Sequence, residues 1–198
     1  MTQYEDMIRT LMREYLDPLM DRDEFDLVGD FSAPFPVEII CAIRGIDDRE
    51  KRQRIRHLAD ITLTREEGQS TGGDAARDAQ IEQGMLFYEF AAQKRANPGD
   101  DICSALVEAQ VETETGEMKS LTDEEIAGFC SLLGAAGSET VTKAVANAAV
   151  LFHRNPDQWQ KVLDDPSKIP AAVEEVLRYW APSQYQGRMS TVDSEWYG

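Results

Sequence analysis

The residues best suited by type and spacing to do chemistry are the six of Ala135–Thr140, AAGSET. Glycine is a poor choice for the middle of a helix, yet Gly137 stands inside a long helical pattern. Without a Cβ, it lets something flat lie close against the backbone. The Thr140 hydroxyl can bond back to the carbonyl of Ala136, four residues earlier, which bends a helix and opens a groove. Glu139 is an acid flanked by apolar residues. Hydroxyl and carboxyl together suit the relay of protons to a bound ligand. A plainer reading also fits: small side chains let two helices pack closely, and Glu139 faces solvent.

Two further groups follow in sequence. Glu175 and Arg178 in EEVLR lie three apart on one helical pattern and can pair. E-x-x-R is common, and such a pair is often just a solvated helix face. Arg188 in YQGRMS follows a proline turn, and its guanidinium is either a carboxylate-binding fork or a surface group on a strand. Cys41, Cys103 and Cys130 form no C-x-x-C pair and no cluster with histidine, and their odd number suggests no disulfide framework. Cys130 reads as a core residue. His57, in a charged helix, and His153, at a helix end, read as surface or capping groups rather than ligands.

Positioning these residues falls to helices, because most of the chain has helical periodicity. Tyr4–Met20 places Met7, Ile8, Leu11, Tyr15 and Leu19 on one face. Pro34 and Pro36 precede a short apolar helix to about Gly45, and Asp47 or Asp48 can cap the next, charged helix through Arg56 and His57. Glu66–Ala76 reads as a loop by composition. An amphipathic helix then runs to about Ala96 and ends at NPGDD, and Ile102–Glu108 forms a short helix. VETETGEMKS reads as a turn or small hairpin. Thr122 and Glu125 form a capping box, with Leu121 and Ile126 placed as a hydrophobic staple. The helix they open can run about 30 residues, to Asn155-Pro156, which reads as an N-cap with proline at N1. Pro170 opens a last helix that ends before Pro182. Residues 187–198, GRMSTVDSEWYG, read as one short strand. The fold class is therefore mainly α, with a long central helix and a little β at the C-terminal end.

The totals narrow the function classes. The chain has 198 residues with 42% hydrophobic and 29% charged, which reads as soluble and globular. Its 20 Lys and Arg against 37 Asp and Glu give a formal charge of −17, which repels phosphate backbones and anionic membranes. A nucleic-acid role is not expected. The apolar stretch Ile126–Phe152 contains Glu139, Lys143 and Asn147, so it reads as a core helix, not a membrane span. No signal peptide opens the sequence, and a reducing cytoplasm fits the cysteine usage.

Order and spacing join the three motifs. A-G-x-E-T in a long helix, then E-x-x-R, then a proline and an arginine entering a strand, resembles the cytochrome P-450 family. NPDQWQKVLDDPSKIPAAVEEVLRYWAP looks like the join between that family's central helix and its E-x-x-R helix. DFSAPFPVEIICAIRGIDD resembles an upstream helix of bacterial members. The resemblance implies a haem cofactor, a small apolar substrate and a ferredoxin or flavoprotein electron donor. It implies that Ala136 and Gly137 lie over the haem face where oxygen binds. Thr140 would hydrogen-bond the oxygen or its water, and Glu139 would resupply protons. Glu175 and Arg178 would be a structural pair for core assembly, Arg188 would bind a haem propionate, and Ser183 and Gln184 would lie near the substrate. The family's F-x-x-G-x-x-x-C-x-G cysteine loop and an early propionate-binding helix are not in the sequence. Residues 1–198 are thus expected to be one incomplete domain, an internal fragment silent as it stands. A non-catalytic helical module that self-associates through exposed core surface is the alternative.

Overall fold

The computed structural model describes residues 4–64, 72–113, 115–185 and 187–196. The chain divides into two compact units, Met1–Thr142 and Lys143–Gly198.

In the first unit, α1 spans Glu5–Leu16, and a 3-10 turn covers Asp17–Leu19. Pro18 lacks the N–H that would continue the α-helix, so the expected single helix to Met20 splits there. A π-helical turn over Leu27–Ser32 follows, capped by Asp26, whose carboxylate accepts the N–H groups of Val28 and Gly29 at 2.9 and 3.0 Å. α2 spans Pro34–Ile43, α3 Arg49–Leu63 and α4 Asp74–Ala96. Asp48, not Asp47, caps α3 by accepting the Glu50 and Lys51 N–H groups. The loop reading for Glu66–Ala76 lies mostly outside the described residues, and Asp74–Ala76 are already helical. Ala76, Ala79, Gln83, Phe87 and Ala91 recur every three or four residues as the buried stripe of α4.

α5 covers Ile102–Glu108, and β1 (Gln110–Glu112) pairs antiparallel with β2 (Met118–Ser120). This is the small hairpin that VETETGEMKS allows. α6 then runs Asp123–Arg154. Its capping box is formed in both directions: Glu125 N–H to Thr122 Oγ1 at 3.2 Å, and Thr122 N–H to the Glu125 carboxylate at 2.9 Å. Ile126 is fully buried and Leu121 packs on the same core, as a staple requires. That core joins Cys41 of α2, Ile55 of α3, Phe87 and Ala91 of α4, Cys103 and Val107 of α5, and Ile126, Ala127 and Cys130 of α6.

Asp101 ties α4 to α5. As N-cap it accepts the Ser104 N–H at 2.9 Å, and it pairs with Lys94 Nζ at 2.6 Å. Burial pushes its carboxyl up, but the hydrogen bonds from Lys94 and Ser104 outweigh this and hold it below the usual carboxylate range. The unfolded carboxyl titrates near pH 4, so this stabilisation is present above about pH 5 and is lost as pH falls through the depressed native pKa. Asp101→Asn keeps a capping oxygen but removes the charge. Urea midpoints measured from pH 7 to pH 3 should fall less steeply on the acid side in this variant. An acid limb parallel to that of the parent would refute the linkage.

In the second unit, α7 spans Pro156–Asp164, a 3-10 turn Pro166–Lys168, and α8 Ile169–Tyr179. Asn155 precedes α7, but its amide does not cap it. The amide donates back to the Leu151 carbonyl at 2.9 Å and so closes the preceding helix. Pro170 sits in the first turn of α8, where its missing N–H is harmless. The strand expected over residues 187–198 is not found: residues 187–196 form no ladder, and positions 197 and 198 lie outside the described residues. A lone segment with weak alternation has no edge to pair with here. Among the described residues no helix is long and apolar enough to cross a membrane.

Candidate functional site

The Ala135–Thr140 run makes the bond its spacing predicts. Thr140 Oγ1 donates to the Ala136 carbonyl at 2.8 Å. Phe129, Leu132, Ala136 and Thr140 are spaced three and four apart, so they share one face of α6. That face is open: Phe129 is 43% exposed, Leu132 is 64% exposed, and Ala135 and Ala136 are exposed beside them. The result is an apolar stripe of small and flat surfaces ending at a hydroxyl. Phe129 and Leu132 escaped the motif reading, although their spacing from Ala136 carries the signal.

The glycines point elsewhere. A Cβ on Gly137 would stand 2.6 Å from Ile40 Cδ1, and one on Gly134 would stand 3.3 Å from the Arg44 guanidinium. Gly137 therefore admits a side chain of α2, and Gly134 that of Arg44, the residue capping α2. The space at Gly137 expected to receive a flat ligand is filled by Ile40, so the closest-packing reading holds at that position. Ser138 and Thr142 bind this same side: Ser138 Oγ donates to the Gly134 carbonyl at 2.7 Å, and Thr142 Oγ1 to the Ser32 carbonyl at 2.8 Å. Glu139 is partly exposed, one residue from Thr140.

In the second unit, Glu175 and Arg178 form a two-pronged pair, with Nε and Nη2 both 2.7 Å from carboxylate oxygens. The pair is solvent-exposed, and the Arg178 hydrogen bonds hold the Glu175 carboxyl below its usual range. Arg188 is exposed and donates to the Gly187 carbonyl at 2.9 Å. Ser183 and Gln184 are exposed. His57 and His153 are exposed too, and His153 sits in the last turn of α6, where a helix end favours it. Among the described residues no group of three or more His, Cys, Asp or Glu could hold a metal ion.

A long helix with this back-bonded threonine, followed by an E-x-x-R helix and an exposed arginine, defines a class. The chain is cytochrome P450 sequence and carries part of that family's fold. It is 35% identical to cytochrome P450 123 of Mycobacterium tuberculosis over 195 residues, 98% of this chain and 47% of that one. It is 29% identical to 6-deoxyerythronolide B hydroxylase of Saccharopolyspora erythraea, over 95% of this chain and 45% of the hydroxylase. It also superposes on cytochrome P450 CYP109Q5 from Chondromyces apiculatus with a TM-score of 0.79 and 30% identity, covering 92% of this chain and 43% of that structure. The chain thus spans about half the length of the curated relatives it matches. No family model matches it.

The family uses haem. The residues present fit that group on one side only. The open stripe of α6 suits a flat apolar macrocycle, and Arg188 suits a carboxylate. The three cysteines do not face that stripe: Cys41, Cys103 and Cys130 are each at most 1% exposed, inside the core of the first unit.

Proposed function

We propose that this chain supplies the oxygen-side wall of a haem-dependent monooxygenase that hydroxylates a small apolar molecule, with electrons from a ferredoxin or flavoprotein. The observation that carries this reading is the Thr140–Ala136 hydrogen bond at the end of an open apolar stripe. Haem, when bound, supplies the oxygen-activating chemistry. Ala136 offers the macrocycle a face without bulk. Thr140, having given its proton to a backbone carbonyl, holds its oxygen lone pairs ready to accept from a ligand or water. Glu139 exchanges protons with solvent next to it. Arg188 takes a haem propionate in its guanidinium fork. Glu175 and Arg178 hold α8 in register for the rest of the fold, and Ser183 and Gln184 stand near the substrate. A thiolate ligand for the iron would be supplied by the part of the P450 length that this chain does not span. The charge of −17 argues against a nucleic-acid partner, and a cytoplasmic setting suits three thiols kept reduced.

The test joins residues 1–198 to the remaining segments of cytochrome P450 123. In that chimera Thr140→Ala should cut product formed per electron consumed by about ten-fold or more, because proton delivery fails while reduction continues. Thr140→Ser should retain most of it. A haem-loaded Thr140→Ala chimera with unchanged coupling would defeat the reading.

Exposed Phe129, Leu132 and Val141 in the first unit, and Trp159, Leu163 and Val173 in the second, favour a second reading. In it, the chain is a non-catalytic helical module that self-associates through these residues. Concentration-dependent sedimentation of haem-free chain, abolished by Leu132→Glu, would support that alternative.

A further inference from the structure

The core of the Met1–Thr142 unit holds a cluster that the haem-wall reading does not use. Cys103 on α5 and Cys130 on α6 bring their sulfurs to 2.9 Å, and both are buried. Arg44 lies against them: its Nη1 donates to the Cys130 carbonyl at 3.1 Å, and its Nη2 stands 4.0 Å from Cys41 Sγ. Among the described residues Arg44 has no carboxylate partner. Thiols are therefore the acidic groups at hand for a buried cation, and a thiolate would offset its charge.

We infer that Cys103 and Cys130 are a redox pair that a peroxide converts to a disulfide, tying α5 to the helix that carries Ala136–Thr140. A disulfide needs its sulfurs about 2.0 Å apart, so they must close by about 0.9 Å. Cys130 is the attacking sulfur. Either sulfur can donate across the 2.9 Å contact, but Arg44 donates to the Cys130 carbonyl, and the Cys103 contact together with this cation favours the thiolate at Cys130, whereas the Cys103 thiol is pushed up. The Cys130 thiolate takes one peroxide oxygen, forming a sulfenic acid as the O–O bond breaks and hydroxide leaves. The Cys103 sulfur then displaces that oxygen as water, and the S–S bond forms. In sum, two thiols and one hydrogen peroxide give one disulfide and two waters. Cys41 does not take part, because its sulfur faces the guanidinium rather than another thiol, and burial raises its pKa. Since both reacting sulfurs are buried, the oxidant enters on local opening.

The test uses the purified chain, treated with hydrogen peroxide while folded, alkylated, digested and analysed unreduced by mass spectrometry. The expected product joins the Cys103 peptide to the Cys130 peptide and leaves Cys41 alkylated. The cross-link closes a loop across 27 residues, so the melting midpoint of the first unit should rise by on the order of 5–10 °C, and dithiothreitol should reverse this. Cys41→Ala should leave the cross-link unchanged. Three intact thiols at peroxide levels that oxidise the urea-unfolded chain would overturn the inference. So would a bridge involving Cys41, or sulfinic acids in place of the disulfide.

Discussion

Arg44→Ala should lower the stability of the Met1–Thr142 unit by about 3–4 kcal/mol, the sum of a large core cavity and the loss of charged hydrogen bonds. Arg44 is 1% exposed. It donates to the carbonyls of Ile40 and Cys130 at 3.1 Å each, and its guanidinium carbon lies 4.8 Å from the Phe87 ring centroid. Burial pulls its pKa below the usual arginine range, so the fold bears a desolvation cost that the two carbonyls and the ring offset. Arg44→Met fills most of the volume and removes the buried charge, and should therefore cost less than half as much. All three tryptophans lie at 159, 180 and 196, so their emission reports nothing directly on this unit. Amide hydrogen exchange across α2 and α6 in graded urea is the suitable measurement. Equal losses for Ala and Met would show that the packing described at Gly134 and Phe87 contributes little.

Gly45→Ala should cost about 2–4 kcal/mol, by two separate routes. Gly45 sits at φ +76°, where an L side chain is strained by roughly 1 kcal/mol or more. Its new Cβ would also stand 2.5 Å from Asp101 Oδ2 and 2.6 Å from Cγ. That carboxylate cannot retreat freely, because Lys94 and Ser104 hold it, and overpacking such a site adds about 1–3 kcal/mol. Gly116 provides the control. Its φ is +83°, but among the described residues a Cβ there meets nothing closer than Glu112 Oε1 at 3.8 Å. Gly116→Ala should therefore show the backbone strain alone. Equal melting shifts for the two variants would refute the clash.

Which parts of this were readable from sequence follows from range. Local rules sufficed where the cause lies within four residues. The capping box at Thr122 and Glu125, the Thr140 back-bond and the Glu175–Arg178 pair all formed as their spacing requires. So did the helix stop at Asn155-Pro156, although the asparagine closes the earlier helix rather than capping the later one. What failed depends on distant partners. No local signal says that Ile40 fills the space at Gly137, 97 positions away, or that Arg44 turns inward to the Cys130 carbonyl, 86 positions away. The strand expected after Pro182 failed for the same reason, since strand formation is a property of a pair. The motif on α6 thus gave the Thr140 back-bond correctly, but not the α2 side chain that fills the space at Gly137.

The central claim is that residues 1–198 form the oxygen-side wall of a cytochrome P450 whose thiolate is supplied by other sequence. The most direct measurement is an absorption spectrum after haem loading, reduction and exposure to carbon monoxide, taken on the chain alone and on its chimera with cytochrome P450 123. The account predicts a red-shifted, thiolate-type Soret band for the chimera and none for the chain. A red-shifted band from the chain alone would mean that Cys41, Cys103 or Cys130 leaves the core to ligate iron, and would contradict it.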